Sequence, residues 1–136
     1  MSETCPGAAG VLAAPPDAGQ KRVLVVEDEP LSAIVIEREV ERMGARVVGP
    51  AGDLRTALAL ASEAHFQAAL LDVNLRGAMS YPVAEVLSAR HIPFAILTGY
   101  DRTMLPAAFQ TCLLVTKPVF PAHVQRLCAR LLASDR

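Results

Sequence analysis

The sequence has no apolar run of membrane-spanning length, which argues against a helical membrane anchor. It also lacks an excess of charge of one sign: the formal net charge is -1 and the basic residues are scattered singly, so no nucleic-acid-binding face is expected. Cysteine is scarce. Cys5, Cys112 and Cys128 are odd in number and lack the close spacing of a metal or redox motif, and no signal peptide is expected. A reducing, cytoplasmic setting is therefore expected, with Cys112 and Cys128 as small core residues. His65, His91 and His123 have no ligand-like spacing, so no zinc site is expected. Lysine is rare: 11 arginines accompany only two lysines, so any lysine at a special place is of interest.

What the chain does contain is enough apolar residue for one core. It has 136 residues, of which 52% are hydrophobic and 20% charged, which suits a single domain and leaves no room for two. Residues 1 to 20 are rich in Ala, Gly and Pro without periodicity, and a disordered tail is expected there. From Lys21 to Arg136 short apolar runs alternate with longer amphipathic segments, the pattern of βα units. Val23 to Val26 reads as the first strand. Pro30 suits the first turn of a helix with Ala33, Ile36, Val40 and Met43 on its apolar face, which Gly44 stops. Arg46 to Gly49 reads as a more polar edge strand, and Asp53 as the N-cap of a helix bearing Leu54, Ala57, Leu58 and Ala61. A buried strand ends at Asp72, a helix spans about Ser80 to Ala89, and a fourth strand runs from Phe94 to Leu97 and ends at Thr98. Leu113 to Val115 forms the fifth, followed by Thr116, Lys117 and Pro118. A last helix carries Phe120, Val124, Leu127 and Leu131 on one face. Five strands alternating with five helices imply a three-layer α/β sandwich with right-handed crossovers and sheet order 2-1-3-4-5.

In such a sheet chemistry gathers past the carboxyl ends of the strands, at the point where the order reverses. Ala68-Ala69-Leu70-Leu71 ends abruptly in Asp72 there, and the first strand leaves Glu27, Asp28 and Glu29 facing the same crevice. Two carboxylates about 4 Å apart repel by roughly 4 kcal/mol at an effective dielectric near 20, so the cluster needs a neutralising partner. Mg2+ takes oxygen ligands and bridges carboxylates to phosphoryl groups, which fits Asp28 and Asp72 directly and Glu27 through water. A flavin phosphate is disfavoured, because its loop needs hydroxyls, glycines and backbone donors where this loop is acidic. Lys117 adds a compact point charge able to reach a phosphoryl oxygen, and Thr98 adds a hydroxyl at the neighbouring strand end.

Taken as a set, Val-Leu-Val-Val-Glu-Asp-Glu-Pro, Leu-Leu-Asp-Val-Asn-Leu, Leu-Thr-Gly-Tyr and Thr-Lys-Pro stand where the motifs of response-regulator receiver domains stand. The chain resembles that family over about Lys21 to Arg136. The resemblance implies a flavodoxin-like (βα)5 fold and a phosphoacceptor at Asp72. Mg2+ would be held by Asp28, Asp72 and the backbone carbonyl of Asn74, with Glu27 acting through water. Thr98 would be the switch hydroxyl, and Lys117, before a cis proline at Pro118, would contact the phosphoryl group. It further implies a phosphoacceptor switch with weak self-catalysed phosphotransfer and dephosphorylation, not a metabolic enzyme. The donor would be a sensor histidine kinase or a phosphotransfer protein. The signal would pass to a downstream protein or along a phosphate relay.

Ile96-Leu97-Thr98-Gly99-Tyr100-Asp101 is similar to the Phe-Ala-Thr-Gly-Tyr-Gly signature of stand-alone receivers that accompany HWE and related histidine kinases. It departs from that signature at Ile96, Leu97 and Asp101, while Tyr81-Pro82-Val83-Ala84 is similar to the same group. Leu114 stands where ordinary receivers carry an aromatic, so Thr98, Tyr100 and Leu114 form an altered switch set. The stretch between Thr98 and Leu113 is short for a fourth helix and contains Pro106. Ordering of this stretch with Tyr100 on phosphorylation is therefore the expected signal. The alternative function is a phosphorylation-independent interaction module on the same fold.

Overall fold

The computed structural model describes residues 20–133. The tail expected to be disordered lies outside the described residues except for Gln20, and so do Cys5 and residues 134–136.

Five strands form one parallel sheet: β1 (Arg22–Val26), β2 (Arg46–Ala51), β3 (Ala68–Asp72), β4 (Phe94–Thr98) and β5 (Leu113–Thr116), in the order β2-β1-β3-β4-β5. β3 lies at the centre and all five of its residues are buried, as a continuous apolar run requires. Alternate side chains of the strands feed two cores. Val23, Val25, Leu70 and Leu97 pack with α1 (Pro30–Arg42) and α4 (Pro121–Ala133). Leu24, Val26, Leu71 and Ile96 pack on the other face with α2 (Leu54–Glu63) and α3 (Tyr81–Ala89).

Local chemistry sets the element ends. Pro30 opens α1, and Gly44 at φ +89° follows its last turn in a conformation that costs glycine little. Asp53 caps α2 by accepting from the Thr56 N–H at 2.8 Å. β2 bends out of register opposite Leu24 and Val26, where the Gly49–Pro50 peptide is cis. After β3 a small antiparallel hairpin joins Asn74–Leu75 to Ala78–Met79. Its turn residues Arg76 and Gly77 have φ of +51° and +87°, the signature of a type I′ turn.

The expectation of five helices is corrected to four α-helices among the described residues. Between β4 and β5 the chain forms two three-residue 3-10 turns, Arg102–Met104 and Ala107–Phe109. Pro106 has no N–H and drives Leu105 to extended geometry (ψ +154°), which breaks any continuous helix there. The segment is held by side chains instead. Arg102 Nη1 donates to the Cys112 carbonyl at 2.9 Å, and Gln110 Nε2 donates to the Leu105 carbonyl at 2.8 Å. Phe109 is buried and stacks on Tyr81, with ring centroids 5.2 Å apart and planes inclined by 10°. Two assignments to helix faces also change: Met43 follows α1 and Phe120 precedes α4, and both are exposed. Cys128 is buried as expected, while Cys112 is only half-buried.

Candidate functional site

The carboxyl ends of β1, β3, β4 and β5 converge on a crevice of about 390 Å³ lined by Asp28, Asp72, Arg76, Thr98, Tyr100 and Lys117 among others. Asp72, the last residue of β3, is only 5% exposed. Lys117 Nζ reaches it from the end of β5 and donates to Asp72 Oδ2 and to Glu27 Oε2, both at 3.0 Å. Glu29 Oε1 lies 3.7 Å from the same ammonium. Ligand oxygens of Glu27, Asp28 and Asp72 all lie within 4.8 Å of one another. The structure therefore brings together the three carboxylates and the lysine expected from the sequence.

Each carboxylate accepts from a backbone N–H. Asp72 Oδ1 accepts from the Asn74 N–H at 3.3 Å, Glu27 Oε2 from the Glu29 N–H at 3.1 Å, and Asp28 Oδ2 from the Arg76 N–H at 2.9 Å. Thr98, 1% exposed, accepts the Tyr100 N–H on its hydroxyl oxygen at 2.9 Å, which leaves the hydroxyl proton free to be donated into the crevice. Asn74 and Tyr100 meet at the rim, where Asn74 Nδ2 donates to the Tyr100 hydroxyl at 3.4 Å. The Lys117–Pro118 peptide is cis, and the Lys117 N–H donates to the Thr98 carbonyl at 2.8 Å. Leu114 is not among the residues lining the crevice: it pairs with Ile96 across β4 and β5 and packs against the α2–α3 core.

Burial pushes the Asp72 carboxyl up to about 7, and the neighbouring Glu27 raises it further than Lys117 lowers it. Burial alone lowers Lys117, yet its bonds to Glu27 and Asp72 outweigh that and hold it above the usual lysine value. Glu27 Oε1 is buried and accepts no hydrogen bond within the described structure. A buried acceptor without a partner is costly, and here it belongs to a cluster of three carboxylates. An all-oxygen, anionic donor set with one unspent buried acceptor fits a hard divalent cation.

Asp28 is the one carboxylate of the three that does not touch Lys117. Asn at this position keeps an oxygen for the Arg76 N–H while removing one charge. Asp28→Asn is expected to raise metal-free stability by about 1 kcal/mol and to weaken Mg2+ binding. Denaturant melts in chelator and in Mg2+ check both parts, and a metal-free variant no more stable than the parent refutes the repulsion argument.

Arg76 was missed by sequence reasoning. Gly77 alone hints at a turn, and the approach of Arg76 to Asp28, 48 residues away, is a product of the fold.

A parallel sheet of this order with an aspartate, an acidic pair, a threonine and a lysine at its strand ends defines the receiver class of phosphorylatable signalling domains. The comparisons agree. The chain is 38% identical to SdrG from Sphingomonas melonis Fr1, covering 83% of this chain and 97% of that one with a TM-score of 0.73. It is 31% identical over 114 residues to the phyllosphere-induced regulator PhyR of Methylorubrum extorquens, 81% of this chain but only 43% of PhyR, so it spans less than half of that curated relative. The receiver domain of sensor histidine kinase PA1611 from Pseudomonas aeruginosa PAO1, with magnesium coordinated in its active-site cleft, is 25% identical over 85% of this chain and all of that one, at a TM-score of 0.68. No protein-family profile matches the chain. The chain belongs to the response-regulator receiver family. No helix among the described residues is long and apolar enough to cross a membrane.

Proposed function

We propose that Asp72 accepts a phosphoryl group from the phosphohistidine of a sensor histidine kinase or phosphotransfer protein, and that a downstream protein reads the phosphorylated form. The observation that carries this reading is the buried Asp72, bonded to Lys117 at 3.0 Å inside a cluster of three carboxylates at the centre of the sheet. An Asp72 carboxylate oxygen attacks phosphorus in line with the imidazole nitrogen. The O–P bond forms as the P–N bond breaks, and the leaving imidazole keeps the electron pair. Lys117 gives up its bond to Asp72 Oδ2 for a phosphoryl oxygen, and the free proton of Thr98 goes to another. Both moves supply positioning and charge, the main needs of phosphoryl transfer.

Asp28, Asp72 and the Asn74 carbonyl would hold Mg2+, with Glu27 acting through water. When bound, the ion supplies charge neutralisation to both the carboxylates and the phosphoryl oxygens. Its coordination in the PA1611 receiver cleft supports this assignment. Hydrolysis of the acyl phosphate, assisted weakly by the same residues, resets the switch. Tyr81-Pro82-Val83-Ala84 and Thr98-Gly99-Tyr100 support membership of the Phe-Ala-Thr-Gly-Tyr-Gly group and a kinase of the HWE or a related family, in the cytoplasm.

The test is phosphotransfer from each autophosphorylated histidine kinase encoded in the same genome, followed by radiolabel on this chain. Rapid transfer from one or a few kinases in Mg2+, and none in chelator, is the expected result. A chain that takes label from no kinase and no small phosphodonor refutes the proposal.

A further inference from the structure

The hairpin after Asp72 brings a second cation to the crevice. Arg76 occupies the first turn position at φ +51°, a conformation rare for a residue with a side chain, and the tip is fastened on both sides. The Arg76 N–H donates to Asp28 Oδ2 at 2.9 Å, and the Gly77 N–H donates to Asn74 Oδ1 at 2.8 Å. Arg76 lines the crevice together with Asp72 and Lys117. Its Nη2 atom lies by the loop between β2 and α2, 3.7 Å from where a Cβ on Gly52 would stand, a point that is also 3.7 Å from the Asp28 Cα and the Glu27 carbonyl oxygen. Lys117 enters the crevice from the β5 side, whereas the Arg76 guanidinium lies toward Gly52, which follows β2. Lys117 is committed to Glu27 and Asp72, whereas no described residue takes a hydrogen bond or close ion pair from the Arg76 guanidinium. Asp53 is a competitor for it. That carboxyl is held low mainly by its bonds to Thr56 and only secondarily by Arg76.

The charge balance gives the guanidinium a task. Glu27, Asp28, Asp72 and Glu29 bring four negative charges to the crevice against one positive charge from Lys117. A divalent cation and Lys117 together bring three positive charges, so four ionised carboxylates still leave these groups net negative. A free, always charged guanidinium with paired donors suits phosphoryl oxygens at the mouth.

We propose that Arg76 is the donor-recognition residue of this site: its guanidinium takes the oxygens of the incoming phosphodonor on the β2 side of the crevice and favours dianionic donors, such as acyl phosphates, over less charged ones. This rests on Asp72 being the phosphoacceptor. The test compares phosphorylation rates from acetyl phosphate, a dianion near neutral pH, and from phosphoramidate, which carries less negative charge. Arg76→Asn is the informative variant, because asparagine tolerates positive φ and keeps the backbone N–H for Asp28. It is expected to lower the second-order rate with acetyl phosphate by about five- to tenfold and the rate with phosphoramidate by less than about twofold, with the acetyl phosphate effect fading in high salt. Arg76→Lys should recover part of the loss. In the parent, unreactive methylphosphonate should shift the Arg76 Nε resonance. Equal slowing with both donors, or no slowing with either, overturns the role of Arg76 while leaving Asp72 as the acceptor. A parent protein that takes label from neither donor overturns the acceptor assignment as well.

Discussion

Asp72→Asn is expected to abolish phosphorylation from any donor, because an amide at the end of β3 offers no anionic oxygen to attack phosphorus. Mass spectrometry of the intact protein after acetyl phosphate and Mg2+ treatment should show the added phosphoryl mass in the parent and none in the variant. Label that survives the change would move the acceptor to another carboxylate. The same variant changes the pH dependence of stability. The folded-state pKa of Asp72, about 7, lies above the unfolded carboxylate value near 4, so the metal-free fold binds this proton more tightly than the unfolded chain does. The resulting stabilisation is complete below about pH 4 and is lost as pH rises through about 7. Asparagine does not titrate. In chelator, Asp72→Asn should therefore gain on the parent between pH 5 and pH 8, as denaturant midpoints can measure, and a constant difference across that range would contradict the raised pKa.

Lys117→Met should have the largest effect on the metal-free protein. It keeps most of the stem volume but removes the ammonium that bonds to the fully buried Glu27 side chain and to Asp72. Breaking a buried pair by removing one partner is strongly destabilising. Lys117 is 21% exposed, so the upper part of that range is discounted and a loss of about 2 to 3 kcal/mol is expected near pH 8. The orphaned carboxyls can escape by taking up protons, so the loss should shrink toward pH 5, and Mg2+ should restore part of it near pH 8. Phosphorylation should slow by about a hundredfold for want of a cation on the phosphoryl oxygens. A penalty that is equal at both pH values and insensitive to Mg2+ would assign Lys117 a packing role.

Strand order and the main residues of the crevice were legible because a parallel sheet writes its carboxyl ends plainly. Ala68 to Leu71 is apolar without a break, so the charge at Asp72 stands out; Thr98 ends its strand in the same way, and Lys117 directly follows the last residue of β5, Thr116. Local patterns also placed the cap at Asp53 and the stop at Gly44, since both depend on residues within a few positions. Contacts made at long range stayed hidden. The bond from the Arg76 N–H to Asp28 depends on β1 and the hairpin meeting in space, and nothing near Arg76 announces it. The missing helix was half visible, since Pro106 argued against it, but the bonds of Arg102 and Gln110 that replace it are side-chain bonds with no periodicity. Phe120 fitted the apolar rhythm of α4, yet it precedes Pro121, where the helix begins, and remains in solvent.

The stacked pair Tyr81 and Phe109 has a further consequence. The chain has two tyrosines and no tryptophan, so every phenol signal comes from one of two known places. Tyr100 sits at the mouth of the crevice with its hydroxyl beside Asn74, and Tyr81 lies flat against the second 3-10 turn. With no indole present, tyrosine emission is not masked by tryptophan, and near-ultraviolet dichroism arises from rings held in fixed asymmetric surroundings. Single Tyr→Phe variants divide that spectrum between the two positions. The protein thus contains, without any attached dye, one optical gauge at its reactive mouth and another packed against the segment between β4 and β5.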